Sequence, residues 1–245
     1  MELLSPEGLR QDGRRPRELR NLQSAVDTLG NADGSATFEL GNTKVMAAVF
    51  GPRAAQGKSS GGRRDADIRC EFAIAAFSQS ERKQLSKRDR RILEVRSMLK
   101  EALKANVLAE LMPGTTIDVY VQVLAADGSI GAASLNAAFL AVADAGIPVK
   151  DLMAACVVGL VQDTPILDLN QMEEQMSRGP SLMMAMHVGL KKIVVFQADG
   201  RMPVEGVETL AELAEGGCQA VGKAMRSVLL DNTRKLALAR GPVRL

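Results

Sequence analysis

The chain has 245 residues, 46% hydrophobic and 24% charged, with 31 Lys and Arg against 29 Asp and Glu and a formal charge of +2. So balanced a chain does not hold nucleic acid by net charge alone, and six Phe, one Tyr and no Trp leave too few rings for base stacking as the main binding mode. No apolar run approaches the roughly 18–20 residues of a membrane span, and the opening MELLSPEGLR lacks the basic-then-apolar pattern of a signal peptide. Three scattered cysteines, Cys70, Cys156 and Cys218, point to a reducing compartment, and the single histidine, His187, excludes a multi-histidine metal site.

Residues 1–20 carry Arg10, Arg14, Arg15, Arg17 and Arg20 between turn formers and read as a basic N-terminal arm, extended in form. Residues 21–245 read as one domain with two similar halves, about 21–150 and 151–245. Apolar, alternating runs predict strands at 36–40 and 45–50, joined by Gly41-Asn42, and another at 68–77. The Gly- and Ser-rich stretch 56–67 between them reads as a surface loop. Ser86 can cap a long helix to about Met112, with Ile92, Val95, Leu99, Leu103, Val107 and Leu111 along one face. A strand is predicted at 117–125, then a tight turn through Gly128 and Ser129 into an alanine-rich helix at 132–145. The second half reads as strands at 153–161, 182–188 and 192–197, with an extended piece at 165–170. A helical pattern from Pro203 to about Arg240 follows, which Gly216-Gly217 can kink or divide. The fold class is α+β, with the halves sharing sheets.

Several segments carry a resemblance in chain order: GLRQDGRRPRELR, ADGSATFELGNTKVMAAVFGP, IDVYVQVLAADGS, LNAAFLAVADAGIPVKDL and PILDLNQMEE. Together they resemble the RNase PH family, and the resemblance spans nearly the whole chain. It implies two βαβα-like halves similar to ribosomal protein S5 domain 2. It also implies a hetero-hexameric ring with other RNase PH-like subunits of a eukaryotic exosome, S1/KH cap subunits, hydrolytic nucleases, and single-stranded RNA in a central channel. The implied setting is the nucleus, including the nucleolus, and the cytoplasm. Active members use inorganic phosphate to remove nucleotides from an RNA 3′ end. That chemistry needs donors for the phosphate, carboxylates for a metal or a proton, and a basic surface for the RNA backbone.

Carried onto this chain, the phosphate site corresponds to Arg91, Gly128 and Ser129. A solvated helix arginine accounts for Arg91 equally well. Where active relatives read Gly-Thr-Arg, Ile130 stands in place of the arginine. Losing a charged, forked donor costs about 1.5–3 kcal/mol, or on the order of tenfold to a hundredfold in phosphate affinity. Of the two aspartates in active relatives, the first corresponds to Glu174 and the second to Pro180, which has no ionisable group. Asp168, Glu173 and Glu174 form an acidic cluster that reads more simply as a solvated turn, with Asp168 or Asn170 capping a short helix. Arg63, Arg64, Arg82, Lys83, Lys87, Arg88 and Arg90 are the candidate RNA contacts, suited to a backbone that slides without being read. The expectation is therefore a degenerate, non-catalytic ring subunit that threads RNA to associated nucleases. It would need no metal and no cofactor. The alternative is an active phosphate-dependent 3′-to-5′ exoribonuclease, which would use phosphate and magnesium.

Overall fold

The computed structural model describes residues 4–5, 7–54, 65–79, 82, 89–162, 164–177 and 179–240. The α+β expectation holds, but the halves do not share sheets: each forms its own. Among these residues there are two sheets, four α-helices and one short 3-10 turn.

The first sheet has five strands, β1 (Leu22–Val26), β2 (Gly34–Leu40), β3 (Thr43–Ala54), β4 (Asp67–Ile74) and β5 (Thr115–Ala125), in the order β1-β2-β3-β5-β4. All its pairings are antiparallel except that of β4 with β5. A parallel pair needs a crossover, and α1 (Arg90–Asn106) supplies it. Asp89 caps α1 by accepting the Arg91 N–H at 3.0 Å. The helix ends well before Met112. At Val107 the chain turns extended and bridges to Val149, while Leu108 N–H donates to the Pro148 carbonyl at 3.0 Å. Tertiary pairing of a β-branched residue thus overrides the helical stripe, and Leu111 is left 67% exposed.

The second sheet is antiparallel throughout, ordered β7-β6-β8-β9 from β6 (Met153–Val161), β7 (Thr164–Leu167), β8 (Ser181–His187) and β9 (Ile193–Asp199). Between the sheets lies α2 (Ile130–Asp144), buried without a break from Ala132 to Val142. Its alanines allow close approach on every side, so it packs against strands of both sheets. Asn136 fixes its height against β6, donating to the Ala155 carbonyl at 3.0 Å and accepting the Ala155 N–H at 2.7 Å. The halves therefore share one hydrophobic core.

The last helix, α4 (Val204–Arg240), runs through Gly216-Gly217 without dividing. Gly217 is a contact point. A Cβ there would lie 2.6 Å from Leu167 Cδ1 and 2.9 Å from Cys156 Sγ, whereas at Gly216 it would meet nothing within 4 Å. Gly216→Ala is expected to stabilise the protein by about 0.5–1 kcal/mol through helix propensity. Gly217→Ala is expected to destabilise it by about 1–3 kcal/mol through overpacking. Urea midpoints of the two variants check this pair.

Candidate active site

The site is built where two turns from different halves meet. One is Asp127-Gly128-Ser129, which leads from β5 into α2. The other is Asp168-Leu169-Asn170, which leads from β7 into α3 (Gln171–Ser177). Gly128 adopts φ +78° and Ser129 φ +53°, so this turn is left-handed. A Cβ on Gly128 would lie 2.5–2.7 Å from backbone atoms of Leu169, Asn170 and Gln171, and the turns touch there without room for a side chain. Ser129 Oγ donates to the Leu169 carbonyl at 2.9 Å, and Thr43 Oγ1 donates to the Gly128 carbonyl at 2.8 Å.

The start of α3 is a reciprocal cap. Asn170 Oδ1 accepts the Glu173 N–H at 2.8 Å, and Glu173 Oε2 accepts the Asn170 N–H at 2.9 Å. Asn170 is thus the capping residue, and the next residue along, Glu174, is turned toward the other loop. Glu174 Oε1 accepts the Ser129 N–H at 2.7 Å. The residue as a whole is exposed, yet its carboxyl is crowded enough that burial raises its pKa above the usual range. The Ser129 N–H and Arg20 work against that rise, and Asp168 and Asp127 add to it. A carboxyl with raised proton affinity therefore sits on an N–H at the N-terminus of α2, where backbone donors favour an anion.

The acidic cluster is not a solvated turn. Asp168 is fully buried and Glu173 is 3% exposed. Each is held by an arginine from the N-terminal arm, which is folded against this turn and accepts the Leu167 N–H at the Pro16 carbonyl, at 2.8 Å. Arg20 pairs with Asp168 through Nε at 2.8 Å and Nη2 at 2.7 Å. Arg10 grips Glu173 through Nε at 2.7 Å and through Nη2, and reaches the Leu167 and Asp168 carbonyls at 2.7 and 2.8 Å. Arg10 and Arg20 are consequently buried rather than part of a basic surface.

The other predicted positions are dispersed. Ile130 begins α2, half-buried, and packs against the core. Pro180 precedes β8, and its carbonyl accepts the Leu160 N–H at 3.0 Å. Arg91 is exposed in the first turn of α1, its guanidinium without a hydrogen-bond or ion-pair partner among the described residues. Arg82 and Arg90 are exposed, and Arg90 pairs with Glu94 at 2.7 Å. Arg63, Arg64, Lys83, Lys87 and Arg88 lie outside the described residues. Among the described residues no three His, Cys, Asp or Glu side chains stand together as a metal site. With Asp168 and Glu173 engaged by arginines, the donor set does not fit a magnesium ion held by paired carboxylates.

Two family models match the chain. Domain 1 of the 3′ exoribonuclease family covers residues 18–148, and domain 2 covers residues 151–217. The Exosome complex component RRP41 homolog of Arabidopsis thaliana is 44% identical over 241 residues, 98% of this chain and 99% of that protein. The Exosome complex component Rrp41 of Methanopyrus kandleri is 39% identical over 229 residues, 94% of this chain and 95% of that protein. The crystal structure of rice Rrp46 superposes with a TM-score of 0.79 at 30% identity, covering 90% of this chain and all of that one. These matches overturn the expectation of a chain that is not an enzyme. Both halves fall within an exoribonuclease family, and archaeal Rrp41 proteins stand among the relatives.

Proposed function

The chain belongs to the RNase PH family of 3′ exoribonucleases, and from that footing we propose that it is an RRP41-type exosome subunit that removes nucleotides from RNA 3′ ends with phosphate as co-substrate. The observation that carries this reading is the meeting of the Ser129 N–H and the Glu174 carboxyl at 2.7 Å, contributed by turns from the two halves. In the reaction a phosphate oxygen attacks the phosphorus of the last linkage. The bond from that phosphorus to the preceding 3′ oxygen breaks, and the terminal residue leaves as a nucleoside diphosphate. The freed oxygen takes a proton, and Glu174, whose proton affinity is raised, supplies it. Phosphate binds at the backbone N–H groups of the first turn of α2, next to the Ser129 N–H that Glu174 holds, and weakly, because Ile130 gives no guanidinium.

In this reading the subunit joins other RNase PH-like subunits in a hetero-hexameric ring of the eukaryotic type. RNA is threaded through the ring channel, S1/KH subunits cap it, and hydrolytic nucleases share its substrates in nucleus and cytoplasm. The 44% identity with the plant protein supports the eukaryotic assignment.

The test is diphosphate release from single-stranded RNA by the chain assembled with its ring partners, with phosphate present and absent. Release is expected to depend on phosphate and to fall on the order of a hundredfold or more in Glu174→Gln, which keeps shape and loses the proton. Phosphate-independent release, or release indifferent to Glu174→Gln, would count against the reading. Restoring a guanidinium with Ile130→Arg is expected to lower the phosphate KM tenfold to a hundredfold, on the order of one charged hydrogen bond.

A further inference from the structure

A site made from two turns in different halves works only if something keeps the turns in register. Among the described residues, one side chain from outside the turns touches both. Arg20 Nη1 donates to the Asp127 carbonyl and lies 3.4 Å from Thr43 Oγ1. Its Nη2 donates to Asp168 Oδ1 at 2.7 Å, reaches the Leu169 carbonyl at 3.3 Å and the Gly128 carbonyl at 3.5 Å, and its Nε donates to Asp168 Oδ2 at 2.8 Å. Its backbone N–H adds a bond to Asp168 Oδ2 at 3.0 Å. The guanidinium is thus saturated, with partners on the turn before α2 and on the turn before α3. Asp168, its main partner, sits at φ +58° with its side chain fully buried, and so holds the second turn in a left-handed form.

We infer that Arg20 is a positioning residue for the Ser129–Glu174 site, a single buried cation that sets the distance between the anion-binding turn and the carboxyl. The inference rests on the function proposed above for that site. The rigid planar fork is what the task requires. A lysine keeps the charge and can answer Asp168, but one ammonium cannot reach the carboxylate and the Asp127 and Gly128 carbonyls in these directions. Misplacing reacting groups by about an ångström costs on the order of a hundredfold in rate, so the loss appears in turnover. RNA affinity, which comes from the basic surface, is spared.

The experiment compares Arg20→Lys with the unaltered chain in the assembled ring, by phosphorolysis and by a carboxyl-carbon NMR titration of Glu174, assigned with Glu174→Gln. The expected result is a cooperative unfolding transition, kcat lowered tenfold to a hundredfold, and KM for RNA within about twofold. The Glu174 titration midpoint is expected to move upward, because the neighbouring cation that favours its ionised form is less closely held, while Asp168 and Asp127 still oppose ionisation. Thr43→Val removes one hydroxyl of the same junction and is expected to shift both readouts in the same direction by less, which keeps the test open if Arg20→Lys fails to fold. Unchanged kcat and an unmoved midpoint in a folded variant would overturn the inference, as would a rate loss matched by an equal loss of folded protein. Should the unaltered ring show no phosphorolysis, the proposed function fails, and the Glu174 midpoint alone still decides whether Arg20 sets the geometry.

Discussion

Asp168→Ala is expected to lower the free energy of unfolding by about 3–5 kcal/mol, the cost of breaking a buried ion pair from one side. The Asp168 side chain is wholly inaccessible and that of Arg20 is 6% exposed. Burial works against the arginine's charge, but the hydrogen bond and charge of Asp168 more than offset it, so the Arg20 pKa is raised and the group stays a cation inside the protein. Removing the carboxylate leaves that cation with carbonyl partners and only the more distant Asp127 carboxylate, 4.0 Å from Nη1, as an ion-pair partner. Arg14, whose Nη1 lies 3.5 Å from Asp168 Oδ2, loses a partner as well. Against a total stability of about 5–15 kcal/mol, such a loss leaves a marginal protein. Asp168→Asn keeps an acceptor oxygen and a residue type that tolerates the left-handed conformation, so it is expected to cost less than alanine. Urea denaturation at neutral pH measures both, and a loss under about 1 kcal/mol for Asp168→Ala would show that the pair is not a keystone.

Gly128→Ala is the second large effect, and it strikes the site directly. The new Cβ would press on Asn170 C at 2.5 Å, Leu169 O at 2.6 Å and Gln171 N at 2.7 Å, all backbone atoms that cannot rotate away, from a residue at φ +78°. Left-handed strain of about 1–2 kcal/mol adds to overpacking of about 1–3 kcal/mol, for a total of roughly 2–5 kcal/mol. The turns must separate to admit the methyl group, so turnover should fall with stability. Gly146→Ala provides the control, because Gly146 has φ +69° but nothing within 4 Å of its Cβ position. It should show the backbone strain alone, about 1–2 kcal/mol, with turnover intact. Equal losses in the two variants, read by urea midpoint and rate together, would mean that the contact between the turns carries no weight.

Much of the framework is legible in the residues. The alternation of β2 and β5, the unbroken apolar run of β6 and the alanine run of α2 all announce their elements. What local patterns do not announce is what distant segments do to one another. The arginines of residues 10–20 read as part of a basic, extended arm because their neighbours are polar. Arg10 and Arg20 are buried because their partners, Glu173 and Asp168, arrive 163 and 148 residues later. The same distance hides the nature of Asp168, which reads as a solvated turn residue until its counter-ion is in place. The weak strand β1, LQSAV, has too little apolar contrast to stand out and is held by its pairing with β2. Gly216-Gly217 reads as a break because the sequence does not display Leu167 and Cys156 beneath Gly217, where the absent side chain lets α4 sit close. Within the site, Glu174 and Ser129 are legible as separate candidates, but their meeting depends on the junction at Arg20.

The proposed chemistry is phosphorolysis, and phosphorolysis is reversible in a way that hydrolysis in water is not. The most direct measurement therefore supplies the assembled ring with a short single-stranded RNA and an excess of nucleoside diphosphate, without added phosphate, and follows RNA length and phosphate together. The account predicts RNA extended at its 3′ end with one phosphate released per nucleotide added, and loss of both signals in Glu174→Gln. A ring that binds the RNA yet neither extends it nor, with phosphate supplied, shortens it would contradict the account at its centre.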